Sequence, residues 1–228
     1  LKRKERDQMS EQPHRPFRRK AALQAETGPL HRVREAVQQE DLRFDVEPDP
    51  RLPAVLPEPW DCLQTVPFSI ERHIQARSPL VSLFRSDPAA KAFDVLRTRL
   101  LQTLKAKGWN RVAIAAPTSG CGTTFTALNL ALSLARVPDT RTVLMDMNMR
   151  TPGVAAAMSL RNVGRMRRFL TEEVGLTDHL FRCGNSLAVG LCDEVVDDAA
   201  ELFHTQACAD ALDSMISNVN PDVVLYDM

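Results

Sequence analysis

The sequence predicts an α/β domain, a parallel sheet flanked by helices, and three segments carry that prediction. Residues 112–116 form an apolar run that enters a glycine-containing turn and then a helix-forming stretch. Residues 143–146 and 223–227 are two further apolar runs, each closing on an aspartate. Short apolar runs bounded by polar residues fit strands buried on both faces, as in parallel sheets. In such open sheets ligands bind beyond the carboxyl ends of the strands. The three polar strand ends are therefore expected to meet in one crevice.

The elements follow in order. Eleven of the fifteen prolines fall before residue 90, and through residues 1–67 prolines and charges alternate with little periodicity. That composition predicts a disordered Pro/charge-rich tail or linker over 1–67, with a short helix at 26–41. The folded domain is expected over 68–228. A helix at 89–107 is amphipathic through Phe93, Leu96, Leu100 and Leu104. Asp87 suits its N-cap, Pro88 its first position, and Gly108 its end. Strand 112–116, helix 124–136 and strand 142–147 make a βαβ unit with a right-handed crossover. Residues 161–181 read as helix in two pieces around Gly175, with Arg161, Arg165, Arg167 and Arg168 on a solvated face. Residues 187–191 read as a short strand. Residues 199–219 read as one helix with Leu202, Leu212, Met215 and Ile216 inward, leading into strand 223–227.

The turn after the first strand is the most informative stretch. It runs Ala116-Pro117-Thr118-Ser119-Gly120-Cys121-Gly122-Thr123-Thr124. Glycines let a backbone wrap closely around a phosphate, and the free N–H groups of the following helix add positive potential. Pro117, Ser119, Gly120, Cys121, Gly122, Thr123 and Thr124 are the candidate phosphate-binding residues. Thr124 stands where a phosphate-loop hydroxyl holds Mg²⁺, but Thr123 stands where such loops carry lysine. An ordinary strand-turn-helix with small residues is the plain alternative. Asp146 and Asp227, at the ends of apolar strands, are candidate metal carboxylates beside Thr124. Taken singly, each aspartate is also an ordinary helix cap or turn residue.

These motifs together resemble the bacterial protein-tyrosine kinases of capsule and exopolysaccharide synthesis, members of the P-loop NTPase superfamily. The likeness covers about residues 86–228 and rests on four ordered motifs. The loop 116–124 is similar to that family's phosphate loop, and Asn129 matches its following helix. Asp146, Asn148, Arg150 and Pro152 match an Asp-x-Asp-x-Arg motif, and Asp227 matches a third strand-end aspartate. The segment 87–100, with Arg97, resembles a helix the family uses in ring-like self-association. Three departures stand out: Thr123 for the loop lysine, Asn148 for the second acid, and Lys91 and Asp94 for a glutamate and an arginine. The tyrosine-rich tail of the family has no counterpart, since Tyr226 is the only tyrosine.

The resemblance implies Mg²⁺-ATP as cofactor, Asp146 metal-linked and acting as base, and Asn148 and Arg150 in the catalytic set. It implies Thr124, Asp146 and Asp227 as metal ligands. A membrane polysaccharide co-polymerase as activator, self-association, and a cytoplasmic site at the inner face of the plasma membrane are also implied. The missing lysine supports a second reading, a nucleotide-binding regulator that has lost phosphoryl transfer. A third, a partitioning or site-placing ATPase, requires a lysine at Thr118 and is disfavoured.

Charge narrows the partners. The chain has 29 basic and 29 acidic residues. No global field argues for nucleic acid. Residues 1–20 carry eight Lys/Arg against three acids, which suits a solvated arm or contact with an anionic membrane surface. Cys62, Cys121, Cys183, Cys192 and Cys208 follow no metal spacing, and with no secretory signal they point to a reducing cytoplasm. No apolar run approaches the roughly 18 residues that span a bilayer. The chain opens on Leu1 and stops one residue after Asp227, so a C-terminally incomplete sheet with an unpaired edge is expected.

Overall fold

A computed structural model describes residues 57–66, 80–160, 164–192 and 194–228. All of them belong to one compact unit, Val55–Met228. The tail reading for residues 1–56, the helix at 26–41 and the basic arm lie outside the described residues, as does Arg161.

Six strands form one sheet in the order β1-β4-β5-β3-β6-β2. They are β1 (Gln64–Thr65), β2 (Arg111–Ile114), β3 (Thr142–Asp146), β4 (Leu180–Cys183), β5 (Leu187–Gly190) and β6 (Val223–Asp227). β5, β3, β6 and β2 run parallel, while β4 pairs antiparallel with β5 and β1 pairs parallel with β4. The helices are α1 (Pro88–Lys107), α2 (Thr123–Leu134), α3 (Val154–Ala157), α4 (Met166–Leu170), α5 (Leu176–His179), α6 (Ala199–Phe203) and α7 (Gln206–Val219).

Side-chain alternation along the strands builds a core on each face of the sheet. Val143, Met145 and Val224 face the layer of α4, α6 and α7, where Phe169, Leu202 and Met215 pack. Leu144, Val223 and Leu225 face α1, α2 and α3, where Leu104, Leu128 and Val154 pack. α2 is buried at every residue from Ala127 to Leu134, as its apolar circumference demands. The buried polar Asn129 is satisfied locally: its Oδ1 accepts from Ser82 N at 2.9 Å and its Nδ2 donates to Phe125 O at 2.9 Å.

α1 is capped as its sequence requires. Asp87 accepts from Ala89 N at 2.7 Å, Pro88 opens the helix, and Gly108 closes it at φ +66°. Asp94 and Arg97 turn inward. Asp94 accepts from Ser133 Oγ at 2.7 Å and from Arg97 at 3.1 Å, and it also pairs with Arg136. Phe93, Leu100 and Leu104 face the core as expected, and of the expected face only Leu96 departs, being 43% exposed, while Ala90 is buried.

Five other expectations are corrected. Sheet residues begin before Phe68: Trp60 and Leu63 lie in the core and β1 adds to the edge of the sheet, although their polar flanks read as linker. β2 is not a strand buried on both faces. It pairs only with β6 among the described residues, and its residues are alternately exposed and half-buried. β6 is an inner strand between β3 and β2, so the open side belongs to β2 rather than to the last strand. Helical structure stops at His179, because Leu180–Cys183 turns back as a hairpin with β5. The helix expected over 199–219 is two helices, broken where Thr205 caps α7 by accepting from Cys208 N at 3.2 Å.

Candidate functional site

The strand order places the three polar strand ends side by side. β3 and β6 pair in a register that sets Asp146 opposite Asp227, and Ile114, which precedes the loop, is opposite Asp227 on the other side. The loop leaves β2 and enters α2 through two left-handed glycines, Gly120 at φ +80° and Gly122 at φ +87°. Such backbone angles strain any residue with a Cβ, so this turn requires glycine at both positions. Gly122 is the N-cap of α2 and no side chain caps the helix, which leaves the first amides of the helix without a side-chain acceptor. Pro117, Ser119, Gly120 and Cys121 are exposed. The Thr118 hydroxyl and Cys121 thiol lie 3.1 Å apart at the lip of the loop.

Thr124 reaches across to the sheet. Its Oγ1 donates to Asp227 Oδ2 at 2.5 Å. Asp227 and Asp146 are both fully buried, and the Oδ1 of each has no hydrogen-bond partner. Asp146 Oδ2 accepts from the amides of Val154 at 3.1 Å and Gly153 at 3.2 Å. Burial pushes the Asp146 carboxyl up to about 7, and the neighbouring Asp227 charge adds to that rise against the opposing amides. Burial likewise raises Asp227, while the hydroxyls of Thr124 and Thr123 pull it back.

Gly153 locks this arrangement. A Cβ there would stand 3.1 Å from both Oγ1 and Cγ2 of Thr124, tighter than most side-chain contacts. Gly153 and Val154 were not among the sequence candidates. The Thr151-Pro152-Gly153 step after the strand was their only trace, and it resembles an ordinary turn.

The remaining candidates lie at the rim. Asn148 Oδ1 accepts from the Thr151 hydroxyl at 3.0 Å and closes the turn that follows β3. Arg150 is exposed and holds no side-chain partner among the described residues. Tyr226 lies within β6, half-buried, with its hydroxyl buried and unpartnered. One further residue at this end escaped the sequence reading. His179 is fully buried, stacks on Phe169 at 4.5 Å with the rings 9° apart, and leaves both nitrogens without partners. Burial drives its pKa down to about 3.

Two unpartnered carboxylate oxygens and a hydroxyl form the hard-oxygen donor set that Mg²⁺ takes. Among the described residues no group of three or more His, Cys, Asp or Glu is placed to hold a metal. The donors therefore suit an ion that keeps waters or borrows phosphate oxygens, and the residues present fit Mg²⁺ on those terms.

An open α/β sheet with a glycine loop entering a buried helix, and two strand-end carboxylates beside it, defines a P-loop NTPase-like domain. Solved structures bring the likeness closer to one group, the bacterial tyrosine-kinase domains. The BceF tyrosine kinase domain is 22% identical over 72% of this chain and 69% of its own, with a TM-score of 0.57. The chimerical protein CapA2B2 is 19% identical over 69% and 73%, with a TM-score of 0.59. The kinase domain of the Escherichia coli tyrosine kinase ETK is 22% identical over 72% and 66%, with a TM-score of 0.58. At these identities the likeness is one of fold. No protein-family model and no curated protein matches the chain.

Proposed function

We propose that the chain is a nucleotide-binding protein related to the tyrosine kinases of capsule and exopolysaccharide synthesis, holding Mg²⁺-ATP without a loop lysine. The observation that supports this reading best is the contact of Thr124 with Asp227 beside the in-register Asp146, with two buried carboxylate oxygens left open. In this reading the loop from Pro117 to Thr123 receives the phosphates through backbone N–H groups. Thr124, Asp146 and Asp227 hold the metal, which would neutralise charge on the phosphate oxygens when bound. Arg150, exposed at the rim and with no side-chain partner among the described residues, replaces part of the charge a lysine would bring. Asp146, metal-linked at the end of β3, is the base in this reading. Asn148 orders the rim through its turn.

A second reading, a regulator that binds nucleotide without transferring phosphate, draws on two observations. Thr123 carries no charge, and a charged hydrogen bond is worth about 1.5–3 kcal/mol. Tyr226 sits in an inner strand with its hydroxyl buried, so it is no acceptor in this conformation. A membrane co-polymerase partner, self-association and action at the inner membrane face belong to the same proposal. No helix among the described residues is long and apolar enough to cross a membrane.

Calorimetric titration with Mg²⁺-ATP tests the reading. Thr124→Ala should remove Mg²⁺-dependent binding, and Thr123→Lys should keep or tighten it. Loss of binding in Thr123→Lys would mean the loop lacks phosphate-loop geometry. Labelled Mg²⁺-ATP then separates the two readings. Phosphotyrosine formed by the chain and abolished in Asp146→Ala would discard the regulator.

A further inference from the structure

The opposite end of the sheet holds a second polar site. The amino ends of β3 and β6, the β4–β5 turn and the Trp60-Asp61 segment enclose a cavity of about 550 Å³. That volume falls within the roughly 300–1,000 Å³ typical of small-molecule sites. The five residues of β3 separate it from the phosphate loop, about 16 Å at the rise of an extended strand.

Both arginines in its wall meet carboxylates. Arg182 Nη1 donates to Asp61 Oδ1 at 3.0 Å. Arg141 pairs with Glu58, its guanidinium lies over the Trp60 ring at 5.4 Å, and its backbone N donates to Asp222 Oδ2 at 2.7 Å. Three aspartates line the cavity against two arginines, a balance of −1. A phosphate or carboxylate entering would meet that excess, and an ammonium would meet two guanidinium groups.

What the wall offers is hydrogen bonding of both senses. The side chains of Asp139, Asn185, Ser186 and Asn220 line the cavity with no partner among the described residues. Asp139 accepts, and the two amides and the hydroxyl do both. Asp139 and Asn220 sit on left-handed backbone, at φ +55° and +47°, which fixes where their short side chains emerge. Each hydroxyl of a polyol gives one hydrogen bond and takes others, so such a ligand matches mixed groups without bringing charge.

We propose that this cavity binds a neutral saccharide or polyol through Asp139, Asn185, Ser186 and Asn220, independently of the phosphate loop. Trp60 stands in the wall and is 3% exposed, so its emission reports the cavity once the other tryptophan is replaced. In Trp109→Phe protein, titration with glucose, galactose, mannose and lactose should give a saturating emission change for at least one sugar. Amide resonances of Asn185 and Asn220 in the unmutated protein should shift along the same isotherm. Asn185→Ala and Asp139→Gly, the latter suited to the left-handed backbone there, should each weaken that sugar by about tenfold, the scale of one hydrogen bond, without changing Mg²⁺-ATP binding. Glucuronate and glucosamine should bind less well than glucose. No saturation by any of the four sugars overturns the proposal. So does tighter binding of glucuronate or inorganic phosphate, or an equal response to ethylene glycol. The resonance shifts need no variant, so a misfolded substitution does not blunt the test.

Discussion

The two ends of this sheet treat buried charge in opposite ways. At the amino ends, each arginine meets a carboxylate: Arg141 with Glu58, Arg182 with Asp61, and Arg111 with Asp213 on the β2 side. These groups are partly exposed, and such pairs add little stability. At the carboxyl ends, Asp146, Asp227 and His179 are fully buried and each keeps at least one polar atom unpartnered. Burying such groups without partners costs about 1–3 kcal/mol each. Such a cost is one that a bound ligand would relieve, so the contrast separates a carboxyl end with buried, unpartnered ionisable groups from an amino end whose arginines are paired.

The contrast is broken most severely by removing a carboxylate from the crevice. Asp227→Asn should lower Mg²⁺-ATP affinity about a hundredfold, roughly 2.7 kcal/mol. It should also make the ligand-free protein more stable by about 1–2 kcal/mol, because a buried charge with an open oxygen disappears. Titration and urea unfolding of the same samples check both signs, and a variant both weaker in binding and less stable would contradict this account.

A smaller effect comes from pH, and it separates two groups at the same end. The pKa of His179 falls from 6.5 unfolded to about 3 folded, so stability drops as pH falls below 6.5, where the unfolded chain binds the extra proton. The pKa of Asp146 rises from 3.8 to about 7, so its stabilising contribution is full below 3.8 and is lost as pH rises through 7. Between these limits the two slopes oppose each other, each at most about 1.4 kcal/mol per pH unit. His179→Phe should therefore gain stability over the parent as pH falls from 6.5, and Asp146→Asn should gain as pH rises toward 7. Urea midpoints across the range test this, and gains in the same direction would refute the assignment.

The amino end should respond least. Glu58→Ala and Asp61→Ala should each change stability by no more than about 1 kcal/mol, with the difference vanishing in high salt. Leu96→Ser, on the exposed face of α1, should stay within about 0.5 kcal/mol. Leu104→Ala on the buried face should cost about 2–5 kcal/mol. Thermal unfolding distinguishes these, and equal losses for Leu96 and Leu104 would return Leu96 to the inward face that periodicity assigned it.

The sequence by itself determined the elements whose pattern is local. β3 and β6 were legible as apolar runs ended by aspartate, α2 as a helix apolar all round, and α1 in its cap, first proline and closing glycine. The turn carrying Gly120 and Gly122 was legible because only glycine adopts those angles freely. The tertiary structure decided what depends on neighbours. The inward contacts of Asp94 on α1 are with Ser133 of α2 and Arg136 just beyond its end, some forty positions away. β1 and the Trp60 anchor gain meaning only from β4, more than a hundred residues later. The placement of Asp146 beside Asp227 follows from β6 entering between β3 and β2, a choice of strand order that leaves no local trace. The same holds for Gly153 against Thr124 and for the buried His179, since periodicity records which residues avoid water and not which distant partner they meet.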